Sequence, residues 1–152
     1  MSTVIPTPYH GSFRTPTLEH ATVADAMHHG VMACDPDTTV TEVARMMATH
    51  HVHCITIVGV SAGESGETLS WGVISDRELL AAGLAGADGE SARSLASHHV
   101  LTVEPATPLR EAGEIMLTTG ASHLLVISSD TQHPVGVVST LDIAGVLAWG
   151  EA

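Results

Sequence analysis

The chain has 152 residues, 44% of them hydrophobic, enough for one ordinary domain or two small ones, and with 3% aromatics its core must be aliphatic. A formal net charge of −12 excludes a phosphate-tracking nucleic-acid surface and a face that docks on anionic membranes, since both need clustered Lys and Arg. No apolar run approaches the length of a membrane span, and two cysteines do not make a disulfide framework.

Residues 1–21 have neither the basic start nor the apolar stretch of a secretory signal, and they read as a flexible Pro/Thr-rich extension of a cytoplasmic protein. Lys and Asn, both encoded by A-rich codons, are missing, which points to a GC-rich bacterial source. A short strand is expected from Val31 to Cys34, followed by turn chemistry at Asp35-Pro36-Asp37. Thr38 is expected to cap a helix in which Val40, Val43, Ala44 and Met47 recur on one face. Cys54 to Val58 is a continuous apolar run, as in a strand buried on both faces. A Gly/Ser-rich loop, Gly59 to Leu69, leads to a strand from Trp71 to Ile74 and a helix from Asp76 to Leu84. Residues 85–90 form a linker.

The order then recurs. VMACDPDTTVTEVARMMATHHVHCITIV, starting at Val31, lies over VLTVEPATPLREAGEIMLTTGASHLLVI, starting at Val100, at a constant offset of 69. WGVISDREL from Trp71 lies over VGVVSTLDI from Val135 at an offset of 64, so the first copy carries five extra loop residues. In the second copy Thr107 is expected to cap a helix with Pro108 in its first position. Strands follow at Leu124 to Ile127 and Val135 to Val138, separated by the loop Ser128 to His133, before a helix from Leu141 to Trp149. The reading is an α/β chain of two repeats, 22–84 and 91–149, each strand-helix-strand-strand-helix, with a cleft where the copies meet. The apolar stripes Val43/Met46/Met47 and Ala112/Ile115/Met116, with small residues Ala81, Ala82, Gly83, Ala144 and Gly145, are expected to serve a homodimer.

Chemistry concentrates at the second helix of each copy. Ser139-Thr140-Leu141-Asp142 follows a buried strand and opens a helix, where free N–H groups and the positive dipole end suit a phosphate. The Ser hydroxyl can add a hydrogen bond, and the Asp carboxylate can accept from both ribose hydroxyls. The same residues also fit a capping arrangement. The first copy has Ser75-Asp76-Arg77-Glu78, where the longer Glu78 makes the stronger capping box; Arg77 reads as an exposed helix-face residue. His50-His51-x-His53-Cys54 holds soft-metal ligand types but spans a helix end and a strand start, where neighbours diverge. His28-His29 and His98-His99 precede the short strands and read as solvated surface. No nucleophile elbow, P-loop or zinc-hydrolase helix is present, so no enzyme is expected.

The repeated Asp/Glu-Pro-x-Thr-x-apolar-x-Glu helix start and the Gly-apolar-apolar-Ser-x-x-Asp/Glu segment resemble the CBS domain, over Thr22 to Trp149. The resemblance implies two repeats packed about a pseudo-twofold axis, a common homodimer, and clefts that take AMP, ADP, ATP or S-adenosylmethionine as regulatory ligand, with no required cofactor and no catalysis. It implies ribose and phosphate contacts from Ser139 and Asp142, and from Ser75 and Glu78 in the other copy. It places His123 at a position whose basic side chain reaches phosphate; its counterpart is Cys54. It implies an adenine slot lined by Met32, Ala33 and Cys34 in copy one and by Leu101, Thr102, Val103 and Ala121 in copy two, Ala121 matching Val52. The function implied is a ligand-sensing module that signals to a regulated protein. A ligand-free interaction dimer and a His/Cys metal or redox sensor stand as the alternatives.

Overall fold

The structure is a computed structural model and describes residues 15–58, 71–96 and 101–151. In chain order, a four-residue helix α1 (Val23–Ala26) leads to the two-residue strands β1 (His28–His29) and β2 (Ala33–Cys34). Helix α2 (Val40–His50), strands β3 (Cys54–Val58) and β4 (Trp71–Ser75), and helix α3 (Asp76–Leu84) complete the first copy. The second copy follows as α4 (Ala92–Leu95), β5 (Thr102–Val103), α5 (Leu109–Thr119), β6 (His123–Ile127), β7 (Pro134–Ser139) and α6 (Thr140–Trp149). This is the mixed α/β arrangement of two CBS-type repeats read from the sequence. The predicted loop Gly59 to Leu69, His98-His99 and the first 14 residues lie outside the described residues.

Compact packing divides the chain into two units. Unit 1 joins the stretch up to Gly30 with the stretch from Leu101 onward; unit 2 is the stretch between them. In unit 2, β2 runs parallel to β3 and β3 antiparallel to β4, with Cys54 opposite Ser75 and Ile55 opposite Ile74. The β-branched side chains of Ile55, Ile57 and Ile74 are fully buried and meet Val43 and Met47 of α2 and Ala92 of α4. Helix α4 is too short to stand alone. It is held by Ala92 N donating to Thr38 O at 2.7 Å and Arg93 N to Pro36 O at 3.0 Å.

Unit 1 repeats this plan with one added strand, in the order β1-β7-β6-β5. Leu109, Ala112 and Met116 of α5 close over Leu124, Val126 and Val138 and meet Val146 of α6. Helix α1 docks as α4 does, through Val23 N to Thr107 O at 2.8 Å and Ala24 N to Pro105 O at 2.9 Å. Each short helix thus packs in the unit that holds the main elements of the other copy. Residues 15–21 are packed as well: Pro16 bridges Glu151, and Ala21 is buried in the core. A Cβ on Gly150 would meet the carbonyls of Val146 and Pro16 at 2.6 and 2.7 Å.

Several details differ from the sequence expectations. The cap of α2 is Thr39, whose Oγ1 accepts from Glu42 N at 3.2 Å, one residue later than Thr38. Pro108 is itself the cap position of α5 and not its first helical residue, while Thr107 Oγ1 accepts from Glu104 N at 3.2 Å within the preceding turn. The first strand shortens to Ala33–Cys34. His28-His29 is exposed, as expected, but also forms the strand β1, antiparallel to β7. The stripes expected to serve a dimer are used inside the units: Val43, Met47, Ala112 and Met116 are buried, and Met46 and Ile115 pack against the same cores.

Candidate ligand-binding site

In unit 1 the polar groups converge where β7 runs into α6. Ser139 is extended (φ −121°, ψ 166°) and caps α6, its Oγ accepting from Asp142 N at 3.2 Å. Asp142 reciprocates: its Oδ2 accepts from Ser139 N at 2.8 Å and from Ser139 Oγ at 3.0 Å. This is a complete capping box, and it fixes the carboxylate at the helix start, where the dipole favours negative charge. The other carboxylate oxygen, Oδ1, lies 2.9 Å from Nε2 of His28 on β1. Asp142 is only 10% exposed in its side chain, so a nearly buried carboxylate is satisfied on both oxygens.

The strand register brings His123 to the same turn, opposite Ser139, with Ser122 Oγ 2.7 Å from its Nδ1. Thr140 N donates to Ser122 O at 3.0 Å, tying the start of α6 to the start of β6. Thr102 and Val103 sit on β5, opposite Leu125 and Val126; Thr102 is exposed and Val103 buried. Ala121 is half-buried against the core, two residues before His123. The structure therefore places Ser139, Asp142 and His123 at one turn, with Thr102 and Val103 on the flanking strand and Ala121 on the approach to β6. His28 is the member that sequence reasoning missed. Its only signal was the His-His pair ahead of the short strand.

Unit 2 builds the matching turn from different chemistry. Ser75 caps α3, accepting from Glu78 N at 3.4 Å, and Glu78 Oε2 accepts from Ser75 N at 2.5 Å. Opposite Ser75 stands Cys54, whose thiol is pushed up to about 11 by burial first and then by the nearby Asp76 and Glu78 carboxylates. It is a neutral thiol at physiological pH. Asp76 Oδ2 lies 2.8 Å from His53 Nδ1, and Asp76 N donates to His53 O at 2.9 Å. Met32 is half-buried, and its carbonyl accepts from both Thr56 N at 2.8 Å and Thr56 Oγ1 at 2.9 Å. Cys34, on β2, is also half-buried; burial raises its thiol above the ordinary value, against a hydrogen bond from Thr38. Arg77 is on the exposed face of α3.

The His50-His51-His53-Cys54 run is split by local structure. His50 ends α2, His51 caps it in the left-handed region (φ 54°), His53 pairs with Asp76, and Cys54 enters β3. Among the described residues no group of three or more His, Cys, Asp or Glu side chains is placed to hold a metal ion. No helix among them is long and apolar enough to cross a membrane.

The profile of the CBS domain family matches residues 23–85 and 92–148. No curated protein matches the chain. Solved structures do. The structure of CBSX2 in complex with AMP is similar at 23% identity, with a TM-score of 0.64 over 81% of this chain and 92% of that one. The CBS domain pair of protein MJ0100, in complex with 5′-methylthioadenosine and S-adenosyl-L-methionine, is similar at 18% identity, with a TM-score of 0.69 over 84% of this chain and 96% of that one. Hypoxic Response Protein I, with two coordinated zinc ions, is similar at 26% identity, with a TM-score of 0.62 over 82% of this chain and 97% of that one.

Proposed function

Because this chain belongs to the CBS domain family, we propose that it is a regulatory module that binds an adenosine-bearing ligand at the β7–α6 turn and signals to a partner protein. The observation that carries this reading is the Asp142 carboxylate: nearly buried, locked by Ser139, and directed at the start of a helix. A fixed acceptor of that kind suits a ribose diol, and the first turn of α6 beside it suits a phosphate. His123 is proposed to face the phosphate, and Thr102, Val103 and Ala121 to line the base. AMP, 5′-methylthioadenosine and S-adenosylmethionine, the ligands of the similar CBS proteins, support this ligand class. Ser75, Glu78, Met32 and Cys34 are proposed as the weaker counterpart.

The partner in assembly is proposed to be a second copy of the chain. Exposed Leu80, Ala81 and Leu84 form an apolar stripe on α3, and exposed Leu141, Ala144, Leu147 and Ala148 form another on α6. Stripes of large and small residues of this kind suit close helix packing in a twofold dimer. The module is read as a cytoplasmic regulator and not as an enzyme.

Calorimetric titration with AMP, ADP, ATP, 5′-methylthioadenosine and S-adenosylmethionine tests the reading. With a net charge of −12 and imidazoles as the basic groups at the turn, each added phosphate brings repulsion with little pairing. AMP, adenosine or cationic S-adenosylmethionine is expected to bind more tightly than ATP at low salt. ATP as the tightest ligand without a divalent cation, or no binding by any of them, would contradict it.

A further inference from the structure

One contact in unit 1 is explained neither by helix capping nor by core packing. His28 lies near the start of the first repeat, yet its Nε2 meets Oδ1 of Asp142, on the last helix of the second, at 2.9 Å. The two partners are unequal: the imidazole is 72% exposed and the carboxylate 10%. The backbone of β1 has its own anchors. His28 pairs with Val137 and His29 with Gly136, and Gly30 N donates to Val135 O at 2.8 Å. The imidazole can therefore rotate into solvent while the strand stays in place. Oδ2 of Asp142 is committed to Ser139 N and Oγ, which leaves Oδ1 as the oxygen that a ribose diol would use.

We propose that His28 gates the unit-1 site, its imidazole and a ribose diol competing for Oδ1 of Asp142. His28 then sets the affinity for ligands that carry the diol and leaves other ligands unaffected. This rests on reading Asp142 as the ribose acceptor. At the offset of 69 the residue corresponding to His28 is Ser97, followed by His98 and His99.

The test compares the full chain with its His28→Ala variant by calorimetry, using adenosine and 2′,3′-dideoxyadenosine. Adenosine should bind the variant about twofold to fivefold more tightly, the scale of a lost competing ion pair with one exposed partner. Dideoxyadenosine, which lacks the diol, should bind both proteins equally. If the variant melts early, His28→Leu preserves bulk and carries the same expectation. Unchanged or weakened adenosine binding overturns the gate and makes His28 a staple or a ligand contact. A readout without ligand separates this from the wider functional reading: the imidazole resonance of His28 should shift in Asp142→Asn, and an unmoved resonance overturns the contact itself. If adenosine binds neither protein while that resonance responds, the ligand reading fails and takes the gate with it. If it binds both equally, only the gate fails.

Discussion

The β4–α3 turn and the β7–α6 turn have the same backbone and different chemistry. Both begin with an extended serine that caps the helix, and both close a reciprocal capping box three residues on. In unit 2 the acid is Glu78 and the residue across the strand is Cys54, a neutral thiol. In unit 1 the acid is Asp142 and the residue across the strand is His123. Capping accepts either acid, since each satisfies the same orphan N–H groups. What the change alters is the chemistry around the capping acid: in one unit it is paired with the His28 imidazole and has His123 across the strand, and in the other it lies near a protonated thiol. Two copies of a fold can thus share their stability device while differing in the side chains around it.

The largest effect should come from Gly136. Residue 136 pairs with His29, and a Cβ there would collide with the carbonyl oxygen of His28. Gly136→Ala should destabilise the protein by about 2–3 kcal/mol in chemical denaturation, the upper scale of a forced backbone displacement. It should also detach β1, so that His28 no longer reaches Asp142. A change below a few tenths would show that β1 adds little to unit 1.

The buried thiol makes a second contrast. The folded value of Cys54, about 11, lies above the ordinary 9.0. A raised thiol binds its proton more tightly in the folded state, so its contribution is complete below about pH 9 and is lost as pH rises through about 11. Stability measured by urea denaturation from pH 8 to 11 should fall more steeply for the native chain than for Cys54→Ala. Parallel curves would remove the thiol from a buried position.

Replacing His123 should separate charged from uncharged ligands. His123→Ala should weaken AMP relative to adenosine by about threefold, as expected for one partly solvated contact to phosphate. An equal loss for both ligands would place His123 at the base or sugar instead. The smallest effect concerns the helix ends. His51 ends α2 at φ 54°, whereas Gly120 ends α5 at φ 76°, a conformation that glycine adopts freely. His51→Gly should raise stability by about 0.5–1 kcal/mol in thermal denaturation, and a loss would show that the imidazole makes a contact worth more than the strain.

The repeat made most of this architecture legible. Continuous apolar runs at Cys54 to Val58 and Leu124 to Ile127 marked the central strands, and both are observed as β3 and β6. Cap positions slipped by one residue because Thr38 and Thr39 are chemically alike and because Pro108, with ψ 132°, sits outside the helix it introduces. Strand β1 was hidden: two exposed histidines carry no apolar pattern, and their place depends on Gly136 far along the chain. Helices α1 and α4 were equally hard to read, since four residues carry little periodicity and their docking depends on carbonyls of the turns before α5 and α2. At the candidate site, Ser139 and Asp142 were readable from the polar start of a helix after a buried strand, and His123 only through the resemblance to the CBS domain. The His28 contact was not, because it joins residues more than a hundred positions apart without any repeated spacing.

The difference between the two turns is tested most directly by titrating one adenosine ligand, AMP, into the native chain, Asp142→Ala and Glu78→Ala. Asp142→Ala should lose about 1–3 kcal/mol of binding, the scale of hydrogen bonds to a charged group left unmade, while Glu78→Ala should change affinity far less. Equal affinities for the native chain and Asp142→Ala, or a larger loss in Glu78→Ala, would contradict the assignment of the ribose site to unit 1.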